Sequence, residues 1–254
     1  MSPLSILIII VVIILIILIL RYIFTDKYTL QDLQNGKTSS TISASDLATN
    51  GSNVPASNFS YSVWFYVNDW NYRYGEPKVI FGRMGANSAS NGGSMPGISG
   101  VDPCPVVALG AIENNLNIGI SCYPGVGQKP PAGSRSIVHT CTVGNVPIQK
   151  WVNLIVSVYG RTMDVYIDGK LVRTCLLPGV ANVNNNSNVY ITPNGGFEGW
   201  TSRLQYYPNS LNPQDAWNIY VKGYGGNWFS NIFGGYQLKI SVVQDGVTQN
   251  SITI

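Results

Sequence analysis

Residues Leu4 to Leu20 form an apolar run, LSILIIIVVIILIILIL, in which Ser5 is the only polar interruption. As a helix this run spans roughly 25 Å, near the lower limit for the hydrocarbon core of a bilayer. Ile23 and Phe24 extend it past Arg21, whose long side chain can reach back to the headgroups. The sequence therefore predicts a transmembrane α-helix over residues 1–24, with Leu4, Ile10, Ile14 and Leu20 in lipid and Arg21 at the boundary. A cleaved secretory signal is the competing reading. Against it, the run exceeds a typical signal core, no basic residue precedes it, and no A-x-A-like cleavage site follows. Arg21 and Lys27 lie after the run and only the α-amino group before it. The positive-inside rule thus puts the remainder of the chain on the cytosolic side.

That remainder is long enough for one large β-domain or two small domains. It is rich in Gly, Asn, Ser, Tyr and Val and poor in charge, which favours short strands and turns over helices. The net charge of +3 is spread along the chain without a Lys/Arg cluster, so no nucleic acid partner is expected. Cys104, Cys122, Cys141 and Cys175 include no C-x-x-C pair and His139 is the sole histidine, so no structural zinc site is expected. Two disulfides and four buried thiols both fit these cysteines, the first in an oxidising compartment and the second in the cytosol.

Residues 25–57 are polar and read as a stalk, with the pattern of a short helix over Tyr28 to Leu33 that Gly36 would end. Asn50, Asn58 and Asn185 head glycosylation triplets, which matter only if the domain is lumenal. From Asn58 the hydrophobic period becomes two. Phe59, Tyr61, Val63, Phe65 and Val67 share one face, and Ser60, Ser62, Trp64 and Tyr66 the other. Further strands are expected at 78–83, 105–110, 115–122, 151–159, 162–167, 170–175, 189–192, 201–206 and 237–243. Asp168-Gly169 has the chemistry of a two-residue hairpin, and Asn212-Pro213 marks the start of a short helix over Asp215 to Tyr220. Strands so spaced, without long helices, predict a two-sheet sandwich or barrel over residues 58–254.

Three segments in order carry a resemblance. They are Asn58–Val67 (NFSYSVWFYV), Gln149–Tyr159 with Met163–Val172 (QKWVNLIVSVY and MDVYIDGKLV), and Phe197–Tyr207 with Leu211–Tyr220. They resemble the early strand, the W-x-hydrophobic and Y-hydrophobic-D-G strand pair, and the closing strand and helix of the laminin-G-like, concanavalin A-like lectin/glucanase superfamily. The resemblance implies an all-β, antiparallel jelly-roll sandwich behind the transmembrane helix. The ending, Tyr220–Gly226 through Gly235–Val243, together with the apolar N-terminus, resembles membrane-anchored forms of this domain in large icosahedral DNA viruses. That second resemblance implies a virion structural protein, a minor capsid component at the interface of an internal membrane and the shell. Its partners would be the lipid bilayer and neighbouring capsid proteins, with the sandwich cytosolic during assembly.

Catalytic chemistry finds no footing. Glucanases of this superfamily use E-x-D-x-E on one strand, where alternate carboxylates share a face. The only glutamates here are Glu76, Glu113 and Glu198, none followed two residues on by Asp, and Asp168 belongs to a turn. His139 reads as a half-buried strand residue, and a Cys141–His139 nucleophile has no further support. Asp69 and Asp102 are too few for a calcium rim. No enzyme activity, metal or cofactor is expected. Trp64, Trp151 and Trp200 sit in strand patterns and read as structural, whereas Trp228 and Phe229, with Tyr224, form the expected partner-contact patch. A protein partner is favoured over carbohydrate there. The alternative is an outward-facing, lectin-like adhesin that binds carbohydrate or a receptor and carries disulfides and glycans.

Overall fold

The computed structural model describes residues 11–12, 15–16, 28–47, 57–85, 102–131, 134–225, 239–244 and 247–253. Leu4, Ile10, Ile14, Leu20 and Arg21 lie outside the described residues. Within the apolar run, Val11, Val12, Leu15 and Ile16 are helical and about half exposed. No helix among the described residues is long and apolar enough to cross a membrane. The chain divides into two compact units, one of them Tyr28–Tyr224 and the other Met1–Lys27 with Gly225–Ile254.

Strands β1 (Thr29–Gln31), β2 (Gln34–Asn35) and β3 (Ser40–Ile42) open the larger unit. Then come β4 (Phe59–Asp69), β5 (Lys78–Met84), β6 (Val106–Leu109), β7 (Asn115–Cys122) and β8 (Ile137–Gly144). The unit closes with β9 (Trp151–Tyr159), β10 (Thr162–Ile167), β11 (Lys170–Leu176), β12 (Asn188–Ile191), β13 (Glu198–Tyr207) and helix α1 (Pro213–Val221). Two antiparallel sheets form a sandwich. The first runs β1-β13-β4-β9-β10-β11, with β2 also on β13; the second runs β3-β12-β5-β6-β7-β8. In the other unit, β14 (Lys239–Gln244) and β15 (Val247–Thr253) form an antiparallel hairpin.

The period-two reading of β4 holds. Phe59, Tyr61, Val63, Phe65 and Val67 all enter the inter-sheet core. The Asp168-Gly169 turn holds too, with both residues at positive φ between β10 and β11. The stretch around Tyr28–Leu33 differs from the expected helix. Thr29 and Gln31 pair with Gln205 and Leu204 of β13, so backbone bonding to a sheet edge wins over a helix too short to stand alone. Residues 29–42 likewise supply edge strands to both sheets where a spacer was expected. Their polarity suits edges, which face water.

Cys141 and Cys175 form a disulfide joining β8 to β11, the end strands of the two sheets, whereas Cys104 and Cys122 are buried free thiols. Burial, opposed by the backbone N–H of Gly179, pushes the Cys122 thiol up to about 11 from an ordinary 9.0. A raised thiol stabilises the fold while protonated, fully so below the unfolded value, and that contribution is lost as pH rises through the folded one. Thermal stability should therefore fall between pH 9 and about 11. The decline should be shallower in Cys122→Ala, as thermal unfolding at stepped pH would register.

Candidate binding site

The outward face of the first sheet splits into a polar half and an aromatic half. In the polar half Ser60 donates to the Asn209 carbonyl at 3.0 Å, with its Oγ also 3.0 Å from Ser157 Oγ, and Leu211 N–H donates to Ser157 Oγ at 2.8 Å. These small side chains dock the segment that leads into α1. The helix starts at a reciprocal cap, in which Asp215 N–H donates to Asn212 Oδ1 at 2.9 Å and Asn212 N–H to Asp215 Oδ2 at 3.1 Å. Ala216 and Ile219 then bury themselves against Ile155 and Tyr166 of the sheet.

The aromatic half lies where β4 ends and β9 begins. Tyr66, Trp151, Tyr224, Trp64, Tyr220 and Trp217 form an unbroken shelf, each ring centroid 4.5–6.1 Å from the next. Trp151 and Tyr224 stack at 4.5 Å and 9°. Trp200 pairs with Tyr66 across β13 and β4 and so shares this face. Trp200, Trp217 and Tyr224 stay 43–44% exposed, while Trp64 beneath them is buried. Tyr224 is fixed by its carbonyl, which accepts Ser202 Oγ at 2.7 Å, after a turn that Gly223 makes at φ 74°.

Trp64 is structural, as the strand pattern implied, but Trp151 and Trp200 belong to the outward face. Of the expected patch, Tyr224 is exposed and stacked on Trp151, and Trp228 and Phe229 lie outside the described residues. Sequence reasoning missed Tyr66 and Trp151 as surface residues, although the outward set Ser60, Ser62, Trp64 and Tyr66 already grew from small to large along β4. Had Trp151 been a core residue, alanine there would cost about 3–5 kcal/mol. On a half-buried shelf the expected loss is about 1–2 kcal/mol, measured by thermal unfolding.

The adjoining loop end concentrates unusual backbone. Arg73, Asn145, Gln149, Asp168, Thr192 and Asn194 all take φ between 42° and 57° there. Such conformations persist only where the surroundings hold them, and they gather at working sites. Tyr72 OH donates to the Gly195 carbonyl at 3.1 Å, and Arg73 donates to the Asn194 carbonyl. Arg73 pairs with Glu76 at 2.6 Å, Lys150 with Asp168 at 3.0 Å, and Lys37 with Glu198. These partly exposed pairs add little stability individually; Lys150–Asp168 and Lys37–Glu198 join separate segments, and Arg73–Glu76 closes a single turn.

The glutamates are dispersed. Glu76 and Glu198 hold those ion pairs, and Glu113 accepts from Asn115 at 3.3 Å. Asp164 accepts from Thr174, and Asp168 accepts the Asn153 N–H at 2.9 Å within its turn. The Cys141 sulfur is bonded to Cys175, which removes it as a nucleophile beside His139. Asp69 accepts the Asn71 N–H and Asp102 accepts Ser136 Oγ. Among the described residues no three His, Cys, Asp or Glu side chains group to hold a metal ion. The arrangement presents rings and fixed loops, and is suited to contact.

No protein family and no curated protein matches the chain. A botulinum neurotoxin serotype D ligand-binding domain solved with N-acetylneuraminic acid is similar at TM-score 0.48 and 14% identity, over 79% of this chain and 53% of that one. The receptor-binding domain of botulinum neurotoxin mosaic serotype C/D is similar at TM-score 0.48 and 13% identity, over 84% of this chain and 55% of that one. This chain thus spans about half the length of those structures. The assignment of a two-sheet sandwich rests on the strand pairings themselves.

Proposed function

We propose that the chain is a non-enzymatic, membrane-tethered docking protein. Its apolar N-terminal run holds it in a bilayer, and its sandwich engages a neighbouring protein through the aromatic shelf. The observation that carries this reading is the shelf itself, with three large rings left 43–44% exposed on a rigid, ring-stacked base. Aromatic anchors on fixed scaffolds are the residues that dominate protein interfaces. The helix cap and the polar docking of the Asn209–Leu211 segment keep those rings in place without a ligand. In its specific form the reading is a laminin-G-like minor capsid component that links an internal membrane to the shell, with the sandwich cytosolic during assembly. Trp200→Ala with Trp217→Ala removes two rings that are 43–44% exposed. It should keep the fold, at a cost of about 1–2 kcal/mol per ring, while reducing the protein partner cross-linked in native membranes at least about tenfold. Undiminished cross-linking would sink the proposal.

A second reading, an outward-facing lectin-like adhesin, is favoured by the Cys141–Cys175 disulfide, since such bonds persist in oxidising compartments. Protease treatment of a C-terminally tagged chain in sealed microsomes separates the two. Digestion without detergent supports the inward docking protein, and protection supports the adhesin.

A further inference from the structure

At the loop end a lysine is enclosed. Lys78 opens β5 opposite Leu109, a core residue of β6, and so shares its inward face. Its side chain is fully buried, and Nζ has no hydrogen-bond partner. The Trp70 ring, 4.7 Å away, is the contact that attends the ammonium. The nearby acids are engaged elsewhere: Glu76 with Arg73 at 2.6 Å, and Asp69 with the Asn71 N–H at 2.9 Å. Burial first, then the Arg73 guanidinium, hold the Lys78 pKa below the ordinary lysine value, against the pull of Asp69 and Glu76. Enclosing an ammonium with none of its hydrogen bonds made costs far more than a ring face returns. A fold that keeps such a group at the loop end leaves its amine without a bonded anion, although Asp69 and Glu76 lie near enough to attract it.

We propose that Lys78 is a carboxylate-binding subsite, closed by Trp70, that accepts an aspartate or glutamate side chain from the docked protein; this rests on the docking reading. Trp70 is suited to be the cover. It follows β4, its side chain's hydrogen bond is from Nε1 to the Ile112 carbonyl at 3.2 Å, and it leads into a turn where Arg73 and Gly75 both take positive φ. Swinging it aside breaks that bond, lifts the ring from the edge of the core it packs against and exposes the ammonium, with the Arg73 guanidinium nearby. One lysine suits a monoanion, and the rim acids Asp69 and Glu76 oppose a dianion such as phosphate. Because Nζ is enclosed, the carboxylate must arrive on a slender stem. An acidic side chain meets that requirement, whereas the ring of a sugar acid does not.

The test is thermal unfolding of the full chain in nanodiscs, with sodium acetate exchanged for sodium chloride at constant ionic strength. N-acetyl-glutamate amide and glucuronate serve as further probes. Acetate and N-acetyl-glutamate amide at about 0.1 M should raise Tm by roughly 2–4 °C. Lys78→Met should abolish the response and be at least as stable as the unmodified chain in chloride. Should Lys78→Met fail to fold, Trp70→Ala decides: an opened subsite should respond at lower acetate concentration. Equal shifts in Lys78→Met and the unmodified chain, or no shift with either carboxylate, would overturn the subsite. A larger shift with glucuronate would overturn the side-chain assignment. Loss of the cross-linked partner in the Trp200/Trp217 variant without an effect of Lys78→Met on capture would leave docking intact and reject this inference alone.

Discussion

Phe65→Ala is expected to destabilise the sandwich by about 3–5 kcal/mol, the upper range for a single core truncation. Phe65 is fully buried on β4, paired with Val152 of β9 on one side and Thr201 of β13 on the other. Both neighbouring strands are themselves hydrogen-bonded further out, so the backbone around the lost ring cannot collapse into the space. The cost is therefore the transfer of the ring and the cavity left behind together. Tyr66→Ala, one residue along and on the outward shelf, should cost much less. Chemical or thermal unfolding of both variants in full-length protein measures the contrast. Equal losses would mean that the faces of β4 are misassigned.

Cys175→Ser is expected to destabilise by about 3–4 kcal/mol, lowering Tm by roughly 10 °C. The bond to Cys141 closes a sequence separation of 34 residues and ties together the two end strands, β8 and β11. Those strands belong to different sheets, so the crosslink restrains both the unfolded chain and the parting of the sheets along that flank. Reductant should reproduce the loss in the unmodified protein and leave Cys175→Ser unaffected. Cys104→Ser removes a thiol that bridges nothing and should not reproduce it. An unmodified protein indifferent to reductant would show that Cys141 and Cys175 are not joined.

What could be read beforehand was whatever depends on local periodicity. Alternation placed Phe59 to Val67 correctly, the Asp168-Gly169 pair fixed its hairpin, and Asn212-Pro213 announced α1. Thr29 to Ile42 escaped because those short polar strands exist only through their pairing with β13 and β12, partners some 150 residues away. The shelf was half legible. Tyr224 was named beforehand and is exposed, but Trp151 and Trp200 were read as structural, because alternation alone does not say which face a helix will cover. Here α1 covers Ile155 and stops short of Trp151. Lys78 gave a faint signal, a charge at the head of the apolar KVIF stretch, whose meaning needed the burial of its amine.

The proposed docking role requires that the aromatic shelf meets a protein. The most direct measurement places a photo-crosslinking amino acid at Trp217 in the full-length chain, with Thr140 on the second sheet as the control, and irradiates native membranes or particles. A single abundant protein adduct is expected from position 217 and little from 140. Adducts to glycan or lipid alone from position 217, or equal protein adducts from both positions, would contradict it.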